Sequence, residues 1–269
     1  MPREVNAVCF FDVDGTMVTR AIESGSVEEA PSQRVCDAIR AFVAAGNVAF
    51  LSTGRGPDGI NRHLRELPFS GMVCVDGAYV EHDGKPILDA FFPKELADAY
   101  LTQCLELGVP TALNCRGGSI AVGGRAFGFS GDILEASSVE EAYEAMGGDL
   151  HAWKANVSTE GLERLVRSSN VMDRFEHYDA GSGAQELTLL GVGKGAGAKR
   201  LLESAGVVPK HVMCFGDSGN DVPIFDICDI SVCLGNGDDE AKEHATYVTE
   251  DLAHDGVAVG LESLRQFWE

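Results

Sequence analysis

No apolar run in this sequence approaches the ~20 residues of a membrane-spanning helix. None of the eight cysteines pairs in a Cys-x-x-Cys motif; the nearest two are Cys228 and Cys233. A chain of 269 residues does not need disulfide staples, so reduced thiols and a cytoplasmic location are expected. Positive charge is scarce: 21 Lys and Arg stand against 42 Asp and Glu, for a net charge of -21. Such a surface repels nucleic-acid phosphates and anionic lipid, so neither a nucleic acid nor a membrane is an expected partner. The opening "MPREVNAVCFF" lacks a signal-peptide pattern, because its short apolar run leads straight into acids with no cleavage site. There is no internal repeat and no low-complexity tract.

What is present suits a packed core: 45% of the residues are hydrophobic, enough for one large domain or two smaller ones. "VNAVCFF" reads as a strand buried on both faces. "SQRVCDAIRAFVAAG" carries Val35, Ile39, Phe42 and Val43 at helical spacing, with Ser32 and Gly46 as caps. "NVAFLSTGR" is a second buried strand, "PDGINRHLREL" a helix and "GMVCVDG" a third strand. This alternation predicts a parallel sheet with helices on its faces. After Gly77 the texture changes. A hairpin signal at Asp83-Gly84 is followed by a helix from Pro93 to Leu107, Gly-punctuated short strands in "NCRGGSIAVGG" and a helix over Val139–Met146. The strand "HAWKANVS", the helix "GLERLVRSS" (161–169) and strands near Phe175 and Glu186 come next. Residues 83–186 therefore read as an α+β insert with an antiparallel sheet, between core segments 1–82 and 187–269. The first texture then returns: "GKGAGAKRLLESAG" is helical, "HVMCFGD" a strand, "NDVPIFDIC" helical, "ISVCLGN" a strand and "DDEAKEHA" a helix.

Asp12 and Asp14 end the apolar run "VCFFDVDGTMV". Carboxylates beside buried apolar surface are costly unless compensated. In an open parallel sheet, ligands bind beyond the carboxyl ends of the strands. Asp12 lies at such an end, as does Asp217, with Asp221 four residues later. Carboxylates converging there call for a divalent cation, and Mg²⁺ takes protein carboxylates, waters and phosphate oxygens. By itself, Asp-x-Asp-Gly also reads as a polar turn, and "GDSGND" is equally open. Thr53 in "LSTGR" supplies a hydroxyl or simply caps a helix. Lys194 in "GVGKGAG" opposes a helix dipole, so it is a solvated lysine unless an anion balances it. Together they place a nucleophile, a second acid, a hydroxyl, a cation and a metal pocket at one sheet edge. "GVGKGA" also fits a dinucleotide fingerprint, weakly, and Gly195 after the lysine excludes a P-loop.

The order "DVDGT", "STGR", "GVGKGAG", "GDSGND" resembles the haloacid dehalogenase-like phosphatase superfamily. The insert, "VDGAYV" and "LAHDGVAVGLE" resemble its Cof-type sugar-phosphatase branch, over essentially the whole chain. One departure is Asp76, where that branch carries Asn. The resemblance implies a Rossmann-like doubly wound parallel core with an inserted α+β cap. It implies Asp12 as the nucleophile that forms an aspartyl-phosphate and Asp14 as the general acid–base. Mg²⁺ is implied on the Asp12 carboxylate, the Asp14 backbone carbonyl and Asp217. Thr53, Gly54, Lys194 and Asn220 would serve the phosphoryl group, with Asn220 and Asp221 orienting Lys194 and metal waters. Gly15 and Thr16 would shape the loop. Arg55 is open between substrate contact and a surface ion pair. In the cap, Asn114, Arg116, His151 and Lys154 are open between substrate contact and solvated strand positions. The implied activity is a Mg²⁺-dependent phosphatase acting on a small phosphorylated metabolite, a sugar phosphate in particular. A sugar phosphomutase and a non-catalytic phosphometabolite sensor are the alternatives.

Overall fold

The computed structural model describes residues 2–19, 29–125, 133–168, 170–181 and 183–269. Ser169, the last residue of the helix expected over 161–169, lies outside them. The chain opens with β1 (Arg3–Phe11), α1 (Gln33–Ala44), β2 (Val48–Ser52), β3 (Phe69–Cys74), β4 (Tyr79–His82) and β5 (Lys85–Asp89). It continues through α2 (Lys94–Leu107), β6 (Thr111–Cys115), β7 (Gly118–Val122), β8 (Leu134–Ala136), α3 (Val139–Ala145), β9 (Ala152–Ser158), α4 (Thr159–Ser168), β10 (Phe175–Gly181) and β11 (Ala184–Leu189). It closes with α5 (Lys194–Ser204), β12 (Val207–Gly216), β13 (Ile230–Cys233), α6 (Asp239–His244), β14 (Tyr247–Val248) and α7 (Gly256–Ser263). Two compact units result: Met1–Leu88 with Gly193–Glu269, and Asp89–Val192. The limits expected from the sequence, 83 and 186, both fall earlier. β5 adds to the first unit's sheet, and β11 runs on to Leu189 in the second.

The first unit is an eight-stranded sheet in the order β14-β13-β12-β1-β2-β3-β4-β5. Its strands are parallel from β14 to β3, and β4 turns back antiparallel on β3. β1 is central, and Ala7 to Phe11 are all fully buried, as its unbroken apolar run requires. Phe11 stacks on Phe215 of β12 at 5.4 Å, and Phe10 meets Phe50 of β2 at 5.3 Å. α1 starts where Ser32 Oγ accepts from Val35 N (3.1 Å), and it buries Val35, Ile39 and Phe42 on one face.

The continuous helix expected over "PDGINRHLREL" is not formed. A single tight turn, Pro57–Gly59, and a short helix, Arg62–Arg65, replace it. Asn61 restarts the helix by capping Leu64 N at 3.1 Å. The Arg65 guanidinium takes the Pro57 and Ile60 carbonyls that a continuous helix would use internally. "NDVPIFDIC" is helical over its first six residues, a 3-10 turn at Gly219–Asp221 running into a short α-helix at Val222–Phe225. β8 and β14 were too short to leave a periodic signal.

The second unit is a six-stranded sheet in the order β10-β11-β9-β6-β7-β8, antiparallel except for the β7–β8 pair. Leu113, Ala155, Leu187 and Ile120 lie on one face, in an apolar core with Leu101 and Leu165 of the helices. Asn114, Lys154, Asn156 and Glu186 share the other face, since register pairs Asn114 with Lys154 and Glu186 with Asn156. Among the described residues, no helix is long and apolar enough to cross a membrane. All eight cysteines are free thiols.

Candidate active site

The site is assembled from loops at the carboxyl ends of the first unit's parallel strands. Asp12 follows β1, Thr53 follows β2, Asp76 lies just beyond β3 and Asp217 follows β12. Asp12 N donates to Phe215 O (3.0 Å), which fixes the first loop against β12. That loop turns at Gly15, whose φ is +86°. A Cβ there would collide with the Asp217 carboxylate, so only glycine allows this approach. Thr16 Oγ1 then donates to Asp217 Oδ1 at 3.3 Å.

Lys194 opens α5 and is 2% exposed. Its ammonium donates to Asp12 Oδ1 (2.8 Å), Asp221 Oδ1 (2.6 Å) and Asn220 Oδ1 (3.2 Å). The carboxylates that balance a cation at a helix start are thus present. The second oxygen of Asp221 accepts from the backbone N–H groups of Asp217 (2.9 Å) and Ser218 (3.2 Å).

Carboxylate oxygens of Asp12, Asp217 and Asp221, all buried, lie within 4.8 Å of one another. Among the described residues, one ammonium against three carboxylates leaves negative charge in excess. Burial pushes the Asp12 carboxyl well above its usual range; Lys194 opposes the shift, while Asp221 and Asp217 add to it. Burial works to lower Lys194, yet Asp12, Asp221 and Asp76 outweigh it and hold the ammonium well above its usual value. Both shifts favour protonated forms, as surplus negative charge in a dry site demands. Hard oxygen donors in this number fit a divalent cation such as Mg²⁺ or Ca²⁺.

Asp14 takes a separate position. Its carboxylate receives two hydrogen bonds of 2.7 Å from Arg55 Nε and Nη2. Arg55 was open between substrate contact and a surface ion pair. The structure corrects the latter: the Arg55 side chain is 7% exposed, so the pair is buried on the arginine side. Its backbone explains this. Arg55 N donates to Thr53 Oγ1 (3.1 Å), and Arg55 O accepts from Val75 N (2.9 Å), which locks the turn after β2. Thr53 is fully buried in that turn, with Gly54 beside it.

Two contributors had little sequence signal. Asp76 is buried and accepts from Asn220 Nδ2 at 3.1 Å. Asn236 Nδ2 donates to Gly15 O at 2.8 Å and steadies the first loop from the far end of the chain. The departure at Asp76 marked the first; nothing marked the second.

The candidates of the second unit form their own network. Lys154 Nζ donates to Glu186 Oε1 (2.8 Å), and Asn114 Nδ2 donates to Asn156 Oδ1 (3.0 Å). Arg116 pairs with Asp89 and lies over the Phe91 ring (4.8 Å), and His151 meets the same ring at 4.7 Å.

The sequence profile of the haloacid dehalogenase-like hydrolases matches residues 9–261. The chain belongs to that family. It is 25% identical over 264 residues to a Streptococcus pyogenes protein named, provisionally, a bifunctional phosphatase/peptidyl-prolyl cis-trans isomerase. That match covers 95% of this chain and 53% of the other, so the chain spans about half the length of that relative. It is 30% identical over 177 residues to a phosphoglycolate phosphatase of Methanothermobacter thermautotrophicus, covering 61% of this chain and 78% of that one. The solved structure of a haloacid dehalogenase subclass IIB sugar phosphatase superposes with a TM-score of 0.77 at 24% identity. It covers 97% of this chain and 98% of that one, and at that identity the likeness is one of fold. This haloacid dehalogenase-like chain is built on the parallel-sheet fold that the motifs implied.

Proposed function

We propose that the chain is a Mg²⁺-dependent phosphatase that hydrolyses a small phosphorylated metabolite, a sugar phosphate in particular, in a cytoplasmic setting. The observation that carries this reading is Lys194. Its buried ammonium bridges Asp12 and Asp221 beside Asp217, where a phosphoryl group could meet a cation and a nucleophile together.

Asp12 attacks phosphorus in line through a carboxylate oxygen, and the bond to the leaving oxygen breaks. An aspartyl-phosphate results. Asp14 gives its proton to the leaving alkoxide. It then takes a proton from the water that attacks the aspartyl-phosphate, and inorganic phosphate leaves. Lys194 and Thr53, with Gly54, bind the phosphoryl oxygens where charge develops. Asn220 and Asp221 hold Lys194 in place. The Asp12 carboxylate, Asp217 and the Asp14 carbonyl would hold the cation. Bound there, a divalent ion would offset the carboxylates and polarise the phosphoryl oxygens.

Substrate selection is assigned to the insert, read from the sequence as 83–186. The polar sheet face of Asn114, Lys154, Asn156 and Glu186 supports this, since paired amides and a neutralised ion pair suit hydroxyl groups. Eight free thiols are in keeping with a reducing compartment.

The test is turnover by the purified chain on a panel of phosphorylated metabolites with Mg²⁺. Free inorganic phosphate is the expected product. An isomerised sugar phosphate would mean a mutase, and no turnover on any ester would leave only binding.

A further inference from the structure

The loop after β3 is bent against its own preferences. Val75 and Asp76 both adopt left-handed backbone, with φ of +50° and +51°. A β-branched residue in that region is a genuine outlier, and such strain is held only where neighbours over-determine it. Here they do. Val75 N donates to Arg55 O (2.9 Å), and Asp76 N donates to Thr53 O (3.2 Å). A Cβ on Gly77 would collide with the backbone of Gly193, the residue before Lys194. The bend delivers the Asp76 carboxylate, 1% exposed, to the Asn220 amide. Asn220 Nδ2 points to Asp76, and its Oδ1 receives Lys194 Nζ (3.2 Å) and Ser218 Oγ (3.0 Å).

A fourth buried carboxylate therefore stands one amide away from an ammonium that already serves Asp12 and Asp221. We propose that Asp76 is a positioning residue: it fixes the Asn220 amide with its oxygen towards Lys194, and its charge weakens the site's hold on a phosphate dianion. The inference rests on the phosphatase reading above. A nucleophile needs its phosphoryl group held, but a product dianion bound by a lysine and a metal leaves slowly. A fixed negative charge behind the lysine opposes that retention. Even at an effective dielectric of about 20, a unit charge several ångströms away lowers dianion affinity by at least about tenfold.

Asp76→Asn keeps the acceptor oxygen and removes the charge. Asn tolerates left-handed backbone as readily as Asp, so the loop is retained. The experiment measures inorganic phosphate binding to the full chain in Mg²⁺ by calorimetry, alongside product inhibition. In Asp76→Asn the phosphate dissociation constant should fall by at least about tenfold, and KM should fall with it while kcat does not rise. Asp76→Ala loses the acceptor as well, so its kcat should drop below that of Asp76→Asn. Unchanged or weaker phosphate binding in Asp76→Asn overturns the inference, as does identical behaviour of the two variants. If the wild type binds phosphate but cleaves no ester, the phosphatase reading fails while the charge effect is still read from binding. Absence of phosphate binding to both the wild type and Asp76→Asn overturns the inference, while turnover alone decides the phosphatase reading.

Discussion

Arg55 grips Asp14 through two hydrogen bonds of 2.7 Å, from Nε and Nη2 to the two carboxylate oxygens. This fork geometry is specific to a guanidinium and cannot be reproduced by an ammonium. To deliver a proton, the Asp14 carboxyl must exchange one of these bonds for the leaving oxygen. Arg55 thus sets where Asp14 waits. Arg55→Lys should slow aspartyl-phosphate formation from an alkyl phosphate by at least about tenfold, and from a nitrophenyl phosphate much less. Single-turnover quench measurements on both substrates check this. Equal slowing would mean that Arg55 supports only the loop.

Asp14 itself makes a stronger case of the same kind. A sugar alkoxide needs its proton as the P–O bond breaks, whereas a nitrophenolate is nearly stable without one. Asp14→Asn should slow the first step with a sugar phosphate by ~10²–10⁴-fold and with the aryl ester far less. The second step should slow for both, because the water loses its base. Asp12→Asn should abolish the intermediate with either substrate. Trapping of the phosphoenzyme in rapid-quench samples distinguishes the outcomes.

The surplus charge of Asp12, Asp217 and Asp221 predicts a stability response to metal as well as an activity response. Mg²⁺ added to the metal-free chain should raise the melting temperature, by mass action, with about 2.7 kcal/mol at a hundredfold excess over its dissociation constant. Asp217→Asn should remove most of that rise, while Asp37→Asn, a surface change, should keep it. Exhaustive chelation should stop phosphate release. A melting curve indifferent to Mg²⁺ would sink the assignment of the cluster.

Thiol chemistry gives a test independent of catalysis. Burial pushes Cys104, Cys115 and Cys233 up to about 12, while in the unfolded chain they titrate near ~8.5. The folded state therefore keeps protons that the unfolded state loses. Stability should be full below about pH 8.5 and fall as pH rises from there towards 12, by about 1.4 kcal/mol per pH unit for each thiol. Denaturant midpoints at pH 8 and pH 10.5 measure the slope, which Cys104→Ala should flatten. In the native state at pH 8, Ellman's reagent should find Cys36 and Cys228, the two partly exposed thiols, far faster than the other six.

In the second unit, Lys154 and Glu186 form an ion pair whose side chains are 4% and 18% exposed. Removing one partner leaves a buried charge, so Glu186→Gln should cost roughly 3 kcal/mol, whereas the double change Lys154→Met with Glu186→Leu should recover most of it. Urea denaturation of the single and double variants decides this. Under the proposed function, both should also lose discrimination among metabolites. Retained discrimination would move selection elsewhere.

Much of this was legible in the chain itself. Apolar runs ending in Asp12, Ser52 and Asp217 specify buried parallel strands, because a strand covered on both faces must be apolar throughout. Their ends then fix where the acids lie. The change of texture after Gly77 was less exact: the hairpin it begins, β4 and β5, extends the first unit's sheet, because an alternating strand can still pair antiparallel at the sheet edge. What the sequence could not hold was the pairing of charges across long separations. Asp14 with Arg55 and Asp12 with Lys194 join a loop after one strand to a turn after another or to a helix start. No periodicity encodes which carboxylate faces which cation. The break in the helix after Pro57 is local: Asn61 caps Leu64 N, and the Arg65 side chain takes the Pro57 and Ile60 carbonyls. Local pattern determined which elements form and where they stop. Packing decided which side chain each buried charge would meet, because only there does the cost of leaving a charge unpaired select one partner among many.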